Sequence, residues 1–139
     1  MHLCPRCGTT LSNFEVNQGY KDIKDISVFV GLELVDEPGT SLLVWTTTPW
    51  TLPGNMAAAV HEEYDYVVVE MKDEDAGELV RLIVAKERLK AVFGDEGYTV
   101  VQEMKGAELV GKRYVPPFDY HSNREFEGKE NAWQILHAD

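Results

Sequence analysis

The chain alternates apolar and polar residues in several short stretches, each bounded by turn-forming residues. Over residues 27–35, Val28, Val30, Leu32 and Leu34 fall on one side of a period-two pattern, which predicts a half-buried strand. Pro38 and Gly39 predict a turn, and residues 41–48 a second strand, so the two strands form a hairpin-like unit. Residues 49–55 read as irregular loop, because Pro49 and Pro53 lack N–H donors and fix φ. A short strand is expected over 56–60, a turn over 61–63, a Val-rich strand over 64–71 and another strand over 79–84. The period then changes: Ala85, Leu89, Val92 and Phe93 share one helical face over 85–93, and Gly94 stands where such a helix stops. Residues 98–103 predict a further strand and 105–111 a helical turn, with extended chain at Pro116 and Pro117. Residues 119–131 are polar loop, and 133–137 begin a last strand.

Residues 1–26 read as a lead-in segment with a cysteine turn, and 27–139 as one domain. Several strands with one or two short helices predict an α+β domain built on a β-barrel or a strongly curved sheet. A hydrophobic content of 44% and a length of 139 residues suffice for a real core. No apolar run of membrane-spanning length is present, and the N-terminus lacks the apolar stretch of a secretory signal. The two cysteines lie in one C-x-x-C, which argues against a disulfide-stapled secreted fold and makes the cytoplasm the default location.

Charge narrows the partners. The net charge of −11 excludes a broad basic face for RNA, which needs clustered Lys and Arg to displace counterions. Lys105, Lys112 and Arg113 are the nearest approach to a cluster and read as solvated surface. Any RNA contact is therefore expected at a single-stranded end, with affinity supplied elsewhere.

The candidate chemistry sits in W-T-T-T-P-W-T-L-P-G-N, residues 45–55. Thr46, Thr47 and Thr48 offer hydroxyls that both donate and accept hydrogen bonds. Trp45 and Trp50 can wall a small pocket with rigid apolar surface. The plain alternative is a strand of β-favouring residues whose hydroxyls bond to neighbouring backbone. Cys4 and Cys7 have zinc-knuckle spacing, but a structural zinc takes four ligands, so they form half a site, with His2 an incidental third donor. His61 reads as a turn residue and His121 as a loop residue. Asp73, Glu74 and Asp75 form a solvated acidic tip without the ligand spacing of a calcium loop.

The threonine-rich run closely resembles the signature of the editing domain of isoleucyl-tRNA synthetase, and the similarity continues through H-L-C-P-R-C-G-T-T-L-S (2–12), A-A-A-V-H-E-E-Y (57–64) and K-G-A-E-L-V-G-K-R-Y-V-P-P-F (105–118). Thr48 and Trp50 stand where valyl and leucyl relatives usually carry arginine and an acidic residue. The resemblance implies a barrel-like β structure with short peripheral helices. It also implies proofreading: hydrolysis of mischarged Val-tRNA(Ile), and of valyl-adenylate, by a positioned water. Carried over residue by residue, Thr46, Thr47 and Thr48 act on the ester, and Trp45, Trp50 and Asn55 bind substrate. The partners implied are the 3′ end of tRNA(Ile), valine or valyl-adenylate, and the rest of the synthetase in cis. No cofactor is implied in these residues; ATP and Mg²⁺ belong to the parent's synthetic site, and zinc would need a second cysteine pair outside the chain. The family's second signature, G-T-G-I-V-H-x-A-P with a following acidic residue, is absent from the sequence, and neither His137 nor Asp139 replaces it. Weak or no hydrolysis by this polypeptide alone is therefore expected. A non-catalytic module binding aminoacyl-adenosine, or a plain β-barrel interaction domain, are the alternatives.

Overall fold

The computed structural model describes residues 2–73 and 77–138. The acidic tip expected at Glu74 and Asp75 lies outside the described residues, as does Asp139. Two small strands, β1 (His2–Leu3) and β2 (Thr10–Leu11), form an antiparallel ribbon around the C-x-x-C turn. A five-residue helix follows, α1 (Asn13–Asn17), which the apolar pattern had not indicated. Its signal was local: Ser12 accepts from Glu15 N–H, and the Glu15 carboxylate accepts from Ser12 N–H, a reciprocal cap visible as S-x-x-E.

The predicted hairpin forms as β3 (Val28–Glu33) and β4 (Thr40–Thr46), antiparallel, with Val28 opposite Thr46 and Glu33 opposite Ser41. Leu32 and Leu34 are buried, as the period-two pattern requires. Gly39 closes the turn at φ 81°, a left-handed conformation suited to glycine. Residues 49–55 differ from the expected irregular loop, because Pro49–Gly54 is a 3₁₀ helix. Proline at a first helical position gives up no bond, since that N–H has no intrahelical partner, and its fixed φ favours the turn.

Then come β5 (Ala57–Val60), β6 (Asp65–Lys72) and β7 (Leu79–Ala85). The single helix expected over 85–93 divides into a 3₁₀ turn, Lys86–Arg88, and α2 (Leu89–Phe93), stopped at Gly94 with φ 77°. β8 (Tyr98–Lys105), a 3₁₀ turn at Gly106–Glu108, another at Lys129–Asn131 and β9 (Gln134–His137) complete the described elements.

Five strands form one sheet in the order β3-β4-β7-β6-β8, while β5 and β9 pair in parallel as a separate ribbon. The α+β class stands. Among the described residues the sheet is open rather than closed, with β3 and β8 as its edges, so in place of the barrel implied by resemblance there is an open mixed sheet with a separate two-stranded ribbon. The main core lies between them and includes Leu32, Leu42, Val60, Val68, Tyr114 and Ile135. A smaller cluster of Val67, Val69 and Val84 fills the opposite face under α2, with Leu89, Val92 and Phe93 packed on it. Residues Tyr66–Val69 are buried on both faces, which is why this strand reads as an apolar run without alternation.

Candidate functional site

The site arises where two strands part. β4 and β7 run parallel and pair only at Thr40–Arg81, Ser41–Leu82 and Leu42–Ile83. β4 then continues to Thr46, while the chain after β7 turns away into the 3₁₀ turn and α2. Between the diverging walls lies a cleft of about 890 Å³, within the range of small-molecule sites. Leu32, Leu42, Ala58 and Val60 give it an apolar wall, and Thr46, Thr51, Asn55, Tyr66 and Arg88 supply polar groups.

The threonine run enters this cleft in part. Trp45 and Thr46 line it, and so does Asn55. Thr47, Thr48 and Trp50 do not belong to its lining, and Trp50 is 71% exposed. Thr48 stands one hydrogen bond behind the wall: its N–H donates to Thr46 Oγ1 at 3.0 Å, and its own Oγ1 lies 3.3 Å from that atom. Thr51 Oγ1 donates to Thr48 O at 2.7 Å and lies 3.4 Å from Thr48 Oγ1. The hydroxyls therefore form a short relay from Thr46 through Thr48 to Thr51. β4 ends at Thr46, and Pro49 opens the 3₁₀ turn that brings Thr51 back to Thr48.

Asn55 is held from three sides. Its Nδ2 donates to Ala57 O at 3.0 Å, its Oδ1 accepts from Tyr114 Oη at 2.6 Å, and its backbone O accepts from Trp133 Nε1 at 3.1 Å. Trp133 takes up φ 56°, a left-handed conformation unusual for a bulky residue. Its N–H donates to Met56 O at 2.6 Å and its O accepts from Tyr114 N–H at 3.0 Å, so both neighbouring segments fix it. Burial pushes the Tyr114 phenol up to about 12 and raises Tyr66 as well.

Sequence reasoning missed Thr51, Phe29 and Arg88 as lining residues. Thr51 lay within the same run and was legible there. Arg88 carried no signal, because its placement depends on where β7 leaves β4.

The cysteine turn sits apart from the cleft. Gly8 N–H donates to Cys4 O at 2.8 Å, closing the knuckle. Hydrogen bonds from the Thr9 hydroxyl and backbone, with a further one from Cys4, hold the Cys7 thiol down at about 7 from an ordinary 9.0. Among the described residues no group of three or more His, Cys, Asp or Glu is placed to hold a metal ion. Two thiols do not make a tetrahedral zinc site, so the residues present do not fit a complete one. His61 is a turn residue, stacked on Tyr64 at 4.1 Å with its Nδ1 accepting from Glu63 N–H. No helix among the described residues is long and apolar enough to cross a membrane.

The fold has a counterpart among solved structures. The chain superposes on the crystal structure of GlLeuRS-CP1 with a TM-score of 0.59 at 15% identity, covering 82% of this chain and 49% of that one. The likeness is one of fold, to the CP1 domain of that protein. Sequence comparison then gives the branch. The chain is 46% identical over 136 residues to the isoleucine–tRNA ligase of Clostridium novyi, covering 98% of the chain and 12% of the relative. It is 50% identical over 115 residues to the cytoplasmic isoleucine–tRNA ligase of Mus musculus, covering 82% of the chain and 9% of the relative. With the enzyme of Saccharolobus solfataricus it shares 38% identity over 140 residues. No family model matches the chain. The chain is homologous to a segment of isoleucyl-tRNA synthetases and spans about an eighth of their length, 12% in the first of these.

Proposed function

We propose that the chain is the proofreading module of an isoleucyl-tRNA synthetase, holding the valylated 3′ end of tRNA(Ile), or valyl-adenylate, for hydrolysis by water. The observation that carries this reading is the placement of Thr46, Thr51 and Asn55 in the lining of a largely apolar cleft. A valyl ester presents a short branched chain and a carbonyl. The apolar wall suits the first, and the hydroxyl relay suits the second by hydrogen bonding to the ester. Among the described residues the lining includes no serine, cysteine or histidine, so a covalent acyl intermediate finds no nucleophile–base pair there.

The need for such a site follows from binding energetics. A synthetic pocket built for isoleucine rejects valine by the worth of one methylene, about 1–3 kcal/mol. A second pocket that excludes isoleucine by size removes the error. ATP and Mg²⁺ would act at the synthetic site of the parent, and the rest of that enzyme would supply most of the tRNA affinity.

A second reading has its own support. The lining includes no carboxylate among the described residues, so nothing there anchors the substrate's α-ammonium group. By itself the chain then binds aminoacyl-adenosine with little turnover. Titration with a non-hydrolysable valyl-adenosine amide tests both readings, alongside deacylation of Val-tRNA(Ile). Saturable binding that Thr46→Val weakens, with folding intact, supports the module. Absence of binding by the folded chain overturns it in favour of a β-sheet interaction domain.

A further inference from the structure

The cysteine turn lacks the support that the rest of the fold has. From His2 to Asn17 no residue is buried; Cys4, Leu11 and Val16 are half-buried and the others exposed. The β1–β2 ribbon pairs only His2 with Leu11 and Leu3 with Thr10, and α1 is five residues long. A two-stranded ribbon of this size is marginal in water, and so short a helix does not persist by itself. Small units with this little core are commonly stapled by a disulfide or a metal ion. A metal does not fit. Among the described residues no third His, Cys, Asp or Glu joins the pair, and two thiols are half of what a structural zinc takes. The staple available is a bond between the two sulfurs themselves.

The local geometry suits that bond. Cys4 N–H donates to Thr9 O at 2.9 Å and Gly8 N–H donates to Cys4 O at 2.8 Å, so Cys4 to Cys7 form one closed turn. Such a turn brings its first and fourth Cα atoms within about 7 Å, inside the reach of a disulfide. Cys7 is exposed, with its Sγ 3.0 Å from Thr9 Oγ1, while Cys4 is half-buried. The chain has two cysteines, so neither has a rival partner within it. We propose that Cys4 and Cys7 are a reversible redox site, which a low-molecular-weight disulfide such as oxidised glutathione converts to an intrachain disulfide that staples the β1–β2 ribbon. The exposed Cys7 sulfur attacks one sulfur of the oxidant, the oxidant's S–S bond breaks, and one glutathione leaves as the thiol. The Cys4 sulfur then attacks Cys7 Sγ, breaks the mixed disulfide and releases the second glutathione. The pair gives up two electrons and two protons, and the oxidant takes both to become two thiols. An exposed disulfide of this kind is readily reduced again, so the bond acts as a switch rather than a permanent link. The site lies apart from the cleft and stands independently of the proofreading reading.

The test uses the full 139-residue chain, reduced, freed of reductant, incubated without oxygen in oxidised glutathione, quenched in acid and weighed by mass spectrometry. The wild type is expected to lose two hydrogens and keep no glutathione, and dithiothreitol to restore the original mass. Cys4→Ser should instead retain one glutathione on Cys7. Cys7→Ser should take up its adduct several-fold more slowly, because Cys4 is the less exposed sulfur. Both variants should melt with the reduced wild type, since the main core contains no residue of the ribbon. Amide exchange reads the staple itself. The N–H groups of Cys4 and Gly8 should slow about tenfold on oxidation, while that of Val68, in the β6 ladders, stays unchanged. A lasting glutathione adduct on the wild type, or a disulfide that forms without slowing those two amides, overturns the inference. So does a stoichiometric zinc ion that copurifies with the chain and shields both thiols from glutathione, because a metal is then the staple.

Discussion

Tyr114 donates its hydroxyl to Asn55 Oδ1 across 2.6 Å, tying a cleft residue to the most buried tyrosine of the core. The tie explains why Asn55 holds its place at the end of a proline-rich turn. Its amide faces inward to Ala57 and Tyr114, so its contribution to the cleft is a shaped, fixed wall as much as a free polar group.

The burial of the same tyrosine sets a pH dependence. Burial places the Tyr114 phenol near 12 in the folded chain, against an ordinary 10.0. Below pH 10 both states keep the proton and the phenol contributes its full stabilisation. As pH rises towards 12 the unfolded chain ionises first, so that stabilisation is lost. The gap corresponds to about 2–3 kcal/mol. Urea unfolding should show the wild type losing stability over this window more steeply than Tyr114→Phe. Tyr66, also raised by burial, leaves a residual slope of the same sign in both proteins. Parallel curves for the two proteins would contradict the assignment.

The threonines should rank by position. Thr46 lines the cleft, Thr48 supports it through a hydrogen bond, and Thr47 is exposed and outside it. One lost neutral hydrogen bond is worth about 0.5–1.5 kcal/mol, or roughly two- to twelvefold in affinity. Thr46→Val is expected to weaken the valyl-adenosine amide by that much, Thr48→Val by less and Thr47→Val least. Isothermal titration gives the order, and a largest effect at Thr47 would show that its side chain reorients toward the ligand.

Gly106 predicts a large stability effect. A Cβ built there would lie 2.1 Å from His61 O, which is backbone and has little room to move. Gly106 N–H donates to Tyr64 O and Ala107 N–H to Glu62 O, so the two segments are clamped together. Gly106→Ala should cost about 3 kcal/mol, the upper end of overpacking. A midpoint shift in urea below a quarter of that would mean that the turn after β8 moves more freely than its hydrogen bonds indicate.

What the sequence made legible was local. The β3–β4 hairpin followed from alternation at Val28, Val30, Leu32 and Leu34, and the stop at Gly94 from its place after an apolar helical face. Of the threonine run, Trp45, Thr46 and Asn55 reach the cleft, while Thr47, Thr48 and Trp50 do not. The cleft itself was not legible. It depends on β4 and β7 pairing over three residues and then separating, and a parallel pairing between strands roughly forty residues apart leaves no periodic mark. For the same reason Trp50 could not be told from Trp45: only the 3₁₀ turn at Pro49–Gly54 carries one out of the cleft and leaves the other in it.

Trp133 joins the core to the cleft by a different route, and its replacement separates packing from positioning. The indole is buried, packs edge-on to Phe126 with centroids 6.3 Å apart, and donates from Nε1 to Asn55 O. Trp133→Phe keeps an aromatic ring at φ 56° but removes the donor, leaving the Asn55 carbonyl without that partner. The expected cost in stability is about 1–3 kcal/mol, with a second effect that a purely structural role would not produce. Amide exchange at Asn55 and Met56 should quicken more than at Val68, which lies in the same core but is held by the β6 ladders. Uniform acceleration across all three amides would mean that the indole supports only the global fold, with no separate hold on the cleft.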